Sequence, residues 1–242
     1  MHRPLLLSAL LLPALVAQAE ESDVTASDIN TWKGSAELGS IRTTGNTDTS
    51  SLNAKFGVFH KGLRWDSGLK LEALTSQEDD VTSKEKYAAA LQLNRNFAEN
   101  HYLALLAEYE DDRFSGYEYQ SLVSAGYGYR AIHEQDMALD LEAGPGYRYD
   151  RLDEGGVIEE GAVLRLAAKF FWTIREGVEF GQLVSMDDGA ESTVWKSETG
   201  LKSQINGSLA TKLTYKVKHT SDVPEDSKNT DTEFGVTLVY SF

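Results

Sequence analysis

Phe234 to Phe242 read FGVTLVYSF, with Phe234, Val236, Leu238, Tyr240 and Phe242 alternating with mostly small or polar residues and Val239 the one exception. A period of two makes a strand with a single apolar face. Such a strand at the end of a chain suits a sheet that closes by pairing its last strand with its first. The remaining sequence has to supply the other strands of that sheet, and it does so with the same period.

From Trp32 onward about twelve alternating segments follow one another, each near the ~9–11 residues or slightly more of a tilted membrane strand. Their apolar phases begin with Trp32-Ala36-Leu38, Leu52-Ala54-Phe56-Val58 and Leu63-Trp65-Leu69-Leu71-Ala73, and no helical period competes with them. Short connections at Lys61-Gly62, Ala98-Glu99-Asn100, His133-Glu134-Gln135, Arg175-Glu176-Gly177 and Asn206-Gly207 alternate with longer, acidic ones. The longer set runs over 43–49, 77–84, 111–116, 150–160, 187–193 and 222–231. Two unlike rims are expected of a barrel that separates two compartments, and an even strand count brings both chain ends to the short-turn rim. Trp32, Trp65, Phe97, Trp172, Tyr240 and Phe242 then fall near that rim. Tyr109, Tyr117, Tyr119, Tyr147, Tyr149 and Trp195 fall near the other, giving two aromatic girdles. The fold expected is all-β: one antiparallel transmembrane β-barrel of twelve strands.

The amino-terminal end agrees. Residues 1–19 have a short basic start (His2, Arg3), an apolar run from Leu5 to Val16 and Ala17-Gln18-Ala19 before Glu20-Glu21. This is the pattern of a cleaved secretory signal peptide, too short to span a bilayer as a helix. A short polar periplasmic segment over 20–31 and a barrel over 32–242 are expected to follow, with the outer membrane of a Gram-negative cell as the destination. Glu233, Gly235, Leu238, Tyr240 and Phe242 resemble the C-terminal signal by which the barrel assembly machinery selects its substrates. Gly235, Leu238, Tyr240 and Phe242 are therefore the expected assembly residues.

A mean hydropathy of −0.37 fits a barrel as well as a soluble protein, because every second residue faces a polar lumen. A net charge of −15 argues against a nucleic-acid partner. The chain has no cysteine, which excludes a disulfide scaffold and thiolate metal sites. Its histidines, His2, His60, His101, His133 and His219, stand far apart. No cofactor and no metal are expected. The partners expected are outer-membrane lipid and lipopolysaccharide, the assembly machinery and small ions or solutes.

The phase opposite the apolar one is heavily charged, and its charges are sorted by strand. Acids dominate the fifth to seventh strands through Glu108, Glu110, Glu118, Asp140 and Glu142. Arg165, Lys169, Lys196, Lys202, Lys212, Lys216 and Lys218 lie on the eighth to eleventh. Facing one another in a closed barrel, the two sets would make a transverse field like that of a porin constriction. If they pair instead, the barrel is occluded. A barrel of this size leaves a narrow channel at most, well short of the ~16–18-stranded porins.

WKGSAELGSIRTTGNTDTSSLNAKFGV over 32–58, with its Gly45-Asn46-Thr47 turn, and AGPGYRYD over 143–150 resemble the YdiY-like family described as salt-induced outer-membrane proteins, a family of unknown function. The resemblance covers about Trp32 to Phe242. It implies outer-membrane location and a link to osmotic or salt stress, and it carries no catalytic residue. Both motifs have structural readings. Gly45-Asn46 suits left-handed backbone in a loop. Gly144-Pro145-Gly146 predicts a bulge or bend, since Pro145 cannot donate to a ladder.

The function expected is that of a non-enzymatic barrel, either a narrow passive channel or an envelope-stabilising protein, and two further features are weighed against it. The pairs Glu78-Asp79-Asp80, Asp111-Asp112, Glu159-Glu160, Asp187-Asp188 and Glu225-Asp226 gather on one rim, where divalent cations would bridge them to lipopolysaccharide phosphates. The simpler reading is solvated acidic loops. His219-Thr220-Ser221 resembles the His-x-Ser of outer-membrane phospholipases, but an orienting group and an oxyanion donor are also needed. A soluble periplasmic β-barrel binding protein is the remaining alternative.

Overall fold

The computed structural model describes residues 30–43, 49–79, 81–113, 115–224 and 227–242. The expected leader at 1–19, nearly all of the 20–31 segment, Gly45-Asn46-Thr47, Asp80 and Glu225-Asp226 lie outside the described residues. Twelve strands follow in chain order: β1 (Thr31–Thr43), β2 (Thr49–Lys61), β3 (Trp65–Glu78), β4 (Val81–Ala98), β5 (His101–Asp112) and β6 (Tyr117–His133). The second half is β7 (Met137–Leu152), β8 (Ile158–Arg175), β9 (Val178–Gly189), β10 (Thr193–Gln204), β11 (Leu209–Thr220) and β12 (Thr230–Ser241). Each pairs antiparallel with its sequence neighbours, and β12 pairs with β1 to close the barrel. Among the described residues no helix is long and apolar enough to cross a membrane, which says nothing about crossing with strands.

Alternation sets the two faces. Leu38, Phe56, Leu71, Leu91, Val123, Leu141, Leu164, Leu213 and Leu238 are all exposed. The charged residues between them point inward. An apolar band outside a closed ladder is what a bilayer requires, because every backbone group is satisfied between strands. Trp32, Trp65, Phe97 and Trp172 stand exposed toward one rim, and Tyr109, Tyr147 and Trp195 toward the other. The far-rim girdle includes a ladder of tyrosines across β5, β6 and β7: Tyr109–Tyr119 at 5.9 Å and Tyr119–Tyr149 at 6.1 Å between ring centroids.

The closing seam rests on the last residues of the chain. β1 and β12 pair from Ser35↔Ser241 to Leu38↔Leu238, and Gly34 and Phe242 exchange N–H···O bonds of 2.9 Å in both directions. The Phe242 ring lies over Gly34, where an added Cβ would come within 2.4 Å of it. Phe56 and Tyr240 flank that ring at 6.3 Å. Tyr240 and Leu238 take part in the seam ladder itself, so three of the four expected assembly residues also have a closing role. Gly235 lies above the paired stretch.

Three sequence expectations change. The connection placed at 77–84 is nearly all strand, since β3 runs to Glu78 and β4 starts at Val81. The apolar alternation stops there, but backbone pairing continues beyond the apolar band, where water replaces lipid and neither face has to be apolar. Gly144-Pro145-Gly146 makes no bulge: β7 keeps register with β8 through Gly144↔Arg165, Pro145↔Leu164 and Gly146↔Val163. On the other side the ladder to β6 lapses between Ser124↔Gly146 and Tyr127↔Ala143 without slipping. A Cβ on Gly144 would sit 2.3 Å from Gly126 Cα, so the paired glycines let the two backbones close over the missing proline donor. Lastly, Tyr117 is not a girdle residue. It is 4% exposed, because the β6–β7 register shifts between Tyr117 and Tyr119 and turns it inward.

Candidate functional site in the charged lumen

Inward residues of opposite charge meet in tiers along the lumen. Near the rim that carries both chain ends, Asp66 of β3 accepts from Arg130 of β6 at 3.2 Å and from Asn96 of β4 at 3.1 Å. The next tier centres on Glu142, which accepts from the Tyr102 hydroxyl at 2.9 Å and from Lys169 at 2.7 Å. Lys169 also reaches Gln92 on β4 at 3.3 Å. Asp140 sits beside this tier as the register partner of both Arg130 and Lys169.

Lys202 pairs with Glu179 at 3.1 Å close to the same rim, and further in Lys212 pairs with Glu37 at 2.9 Å and Lys216 with Glu72 at 2.5 Å. Lys196 meets Glu108 at 2.7 Å, and Arg165 is held by both Asp187 oxygens at 2.8 and 3.0 Å, with Glu108 at 3.8 Å. Toward the far rim Lys218 donates to Glu110 and Gln120, both at 2.6 Å. Lys86 stands between Glu110 at 3.1 Å and Glu233 at 3.5 Å, and Lys84 also reaches Glu233, at 2.8 Å. Glu110 on β5 and Lys218 on β11 lie half-way round the barrel from each other. At that level the lumen is no wider than one glutamate and one lysine laid end to end.

The expected lumen residues therefore divide. Glu108, Glu110, Asp140, Glu142, Arg165, Lys169, Lys196, Lys202, Lys212, Lys216 and Lys218 all face inward. Glu118 does not join them. The register shift that turns Tyr117 in leaves Glu118 half-exposed at the rim, paired with Arg151 at 2.9 Å. The separation into an acidic wall and a basic wall also gives way. Lys196 and Lys218 do reach acids of β5, but Lys212 and Lys216 cross to Glu37 and Glu72 on β1 and β3, and Lys202 pairs with its neighbour on β9. Opposite charges at salt-bridge distance cancel the field that unpaired walls would have kept.

The inward groups missed from sequence include Lys84, Lys86, Glu179 and Glu233, and also the three largest fully buried side chains, Asp187, Asp150 and Tyr102. Asp187, expected from its Asp187-Asp188 pair to lie in an acidic loop, is fully buried in β9 against Arg165; carrying the alternation two residues past Ser185 places it inside. Asp150 is likewise buried, 3.1 Å from Arg148, whose guanidinium also donates to Ser192. Tyr102 is 0% exposed, with the Arg130 guanidinium 4.8 Å above its ring. Its register partner is Gly128, where an added Cβ would fall 2.2 Å from the ring. An aromatic on the polar phase opposite a glycine is the sequence signal for such an anchor.

The enzymatic constellation is not assembled. His219 Nδ1 is 2.8 Å from Thr230 Oγ1, and Ser221 Oγ accepts from the Thr193 N–H at 2.9 Å. Among the described residues no hydrogen bond joins His219 to Ser221, and no group of three acids or histidines gathers to hold a metal.

Comparison with known proteins agrees with the fold. The chain is similar to the NanC porin, at 12% identity over 86% of this chain and 98% of that one, TM-score 0.52. An outer-membrane channel of Pseudomonas putida F1 superposes equally well, TM-score 0.52, at 10% identity over 94% of this chain and all of that one. By sequence, the uncharacterized protein YdiY of Escherichia coli K12 is 30% identical over 234 residues, 94% of this chain and 92% of its relative. The family model described as "Protein of unknown function, DUF481" matches residues 36–242, and the chain belongs to that family.

Proposed function

We propose that this protein is a non-enzymatic barrel of the Gram-negative outer membrane that acts as a narrow passive channel, held nearly closed at rest by its own lumenal ion pairs. The observation that carries this reading is the Lys218–Glu110 contact across the full width of the barrel, joined at other levels by Lys196–Glu108 and Lys216–Glu72, which cross shorter chords. Paired charges inside a protein are poor stabilisers, because desolvation offsets most of their attraction and apolar replacements are often neutral or better. A barrel that only reinforced the envelope would gain nothing from a charged interior. Lysine ammonium groups on flexible stems, one of them, Lys218, already shared between Glu110 and Gln120, suit a lumen that opens transiently to water and small solutes.

The apolar exterior, the paired girdles and the similarity in fold to outer-membrane channels support the location. Lipid and lipopolysaccharide would be its surroundings, and the assembly machinery its partner during insertion. The test is recording from purified protein in planar bilayers. Small, brief, salt-dependent conductance steps are expected. Silence over long recordings at high protein load would overturn the channel and leave an envelope-stabilising barrel.

A further inference from the structure

Part of the inner wall is lined by small residues. Along the register, Gly235 of β12 pairs with Thr214 of β11, Thr214 pairs with Gly200 of β10, and Gly200 pairs with Gly181 of β9. Each shares the inward face with a lumenal charge two residues away: Glu233, Lys212, Lys202 and Glu179. Across the seam Gly39 stands beside Thr237, and the side chain that reaches the Gly235 end of the strip is Asn53 of β2. A Cβ on Gly181 would meet nothing within 4 Å, one on Gly235 only Asn53 Nδ2 at 3.9 Å, and one on Gly200 only Lys212 Cε at 3.4 Å. The result is a strip of wall without bulky side chains of its own, covered at Gly200 by the Lys212 stem, against which a flat or rounded solute can lie when that stem moves.

Small residues alone would not make a site, but this strip holds unanswered hydrogen-bonding groups. Thr214 is 4% exposed and its Oγ1 has no partner. Asn53 Oδ1 at the other end of the strip is buried and unpaired as well, and so is Glu72 Oε1 as a hydrogen-bond acceptor, with Lys55 Nζ at 3.6 Å. Buried polar atoms are normally satisfied, so two or three orphans around one strip call for a hydrogen-bonding occupant. The charges bordering the strip include the pairs Lys212–Glu37, Lys202–Glu179 and Lys216–Glu72, with Glu198 opposite Lys216 and Lys55 beside Glu72, so acids and lysines balance and ask for no net charge in return. Lys212 and Lys216 stand on either side of Thr214 and reach out to Glu37 and Glu72, with Lys212 Cε over Gly200.

We propose that this strip is the binding track for small uncharged hydroxylated solutes crossing the barrel, with the Thr214 hydroxyl and the Asn53 carbonyl as their hydrogen-bonding partners. The inference rests on the channel reading and gives it a path and a solute class. It is tested with full-length protein in liposomes, measuring swelling in isosmotic glycerol and in isosmotic arabinose, with KCl conductance measured alongside. Gly181→Phe, which the open space tolerates, is expected to slow swelling tenfold or more. Gly207→Phe, in the β10–β11 turn with equally free space, is expected to leave it unchanged. Thr214→Val is expected to slow glycerol and arabinose severalfold while KCl conductance stays at the parent value. A parent that passes neither solute nor ions sinks the channel reading and this inference with it. A parent that conducts while Gly181→Phe swells at the parent rate overturns the track alone, and an unchanged polyol rate in Thr214→Val overturns the solute class.

Discussion

Gly128→Ala isolates the contact that anchors the Glu142 tier. A glycine in a strand interior ordinarily weakens it, so alanine should stabilise by roughly 0.5–1 kcal/mol. Here the new Cβ would sit 2.2 Å from two carbons of the Tyr102 ring and 2.6 Å from a third, against 3.4 Å or more in ordinary packing. The ring cannot retreat cheaply. It is fully buried, its hydroxyl is tied to Glu142 at 2.9 Å and the Arg130 guanidinium caps it at 4.8 Å. Overpacking of this kind costs about 1–3 kcal/mol. With the ring fixed at three points the upper end applies, and a net loss of about 2 kcal/mol remains after the strand gain, roughly thirtyfold in the unfolding equilibrium. The assay is urea unfolding of the detergent-refolded barrel, followed by the gel-mobility difference between folded and unfolded forms. The decisive comparison is the same substitution in a Tyr102→Ala background. With the ring gone, Gly128→Ala should become stabilising by about 0.5 kcal/mol. A Gly128→Ala protein as stable as the parent, or an equal loss in both backgrounds, refutes the reasoning.

Lys196→Met with Lys218→Met removes two bars that cross from β10 and β11 to β5, and single-channel conductance is expected to rise severalfold over the parent; an unchanged step size counts against the bars. Asp187→Asn strips the bidentate partner from buried Arg165 and leaves it Glu108 at 3.8 Å, an expected loss of about 3–5 kcal/mol in urea unfolding, whereas Asp187→Leu with Arg165→Met should recover most of it. Phe242→Ala uncovers Gly34 at the closing seam, and refolding into detergent should slow and the unfolding midpoint fall, while Phe97→Ala, exposed on β4 away from the seam, leaves refolding rates near the parent's. His219→Ala and Ser221→Ala should match the parent in a phospholipid hydrolysis assay at the blank rate; turnover in the parent that either variant abolishes would revive the enzyme reading.

The barrel was legible because its two rules are local. Period-two alternation needs no knowledge of partners, and FGVTLVYSF shows it as plainly as β6 or β8. The short turns at Lys61-Gly62, Glu99-Asn100 and Glu176-Gly177 fixed the order of strands, since antiparallel neighbours joined by tight turns have little topological choice. Misreadings came where one rule stopped speaking for the other. Polar residues at 77–84 ended the apolar signal but not the ladder. The skipped residue between Tyr117 and Tyr119 reversed the faces of two residues, putting Tyr117 in and Glu118 out. Pro145 suggested a bulge because its missing donor is visible in sequence, whereas the Gly126–Gly144 contact that absorbs it joins residues on different strands.

The lumen was legible by residue and illegible by pair. Alternation identifies Lys212 and Glu37 as inward, but their meeting depends on barrel circumference, strand tilt and the reach of a lysine stem, none of which is encoded near either residue. Sorting charges by strand therefore overestimated the field: a lysine ignores the block of acids opposite if a closer carboxylate lies round the curve. The same geometry explains why the glycine strip was invisible. Gly181, Gly200 and Gly235 are scattered across the chain and read singly as weak strand residues. Only register brings them into line, with Thr214 and its unpartnered hydroxyl among them. Charge pairs that bridge the barrel and a small-residue wall beside them are complementary devices. The pairs narrow the lumen wherever a lysine finds an acid, and the strip keeps one side of that narrowing free of anything a small hydroxylated solute would have to displace except the Lys212 stem.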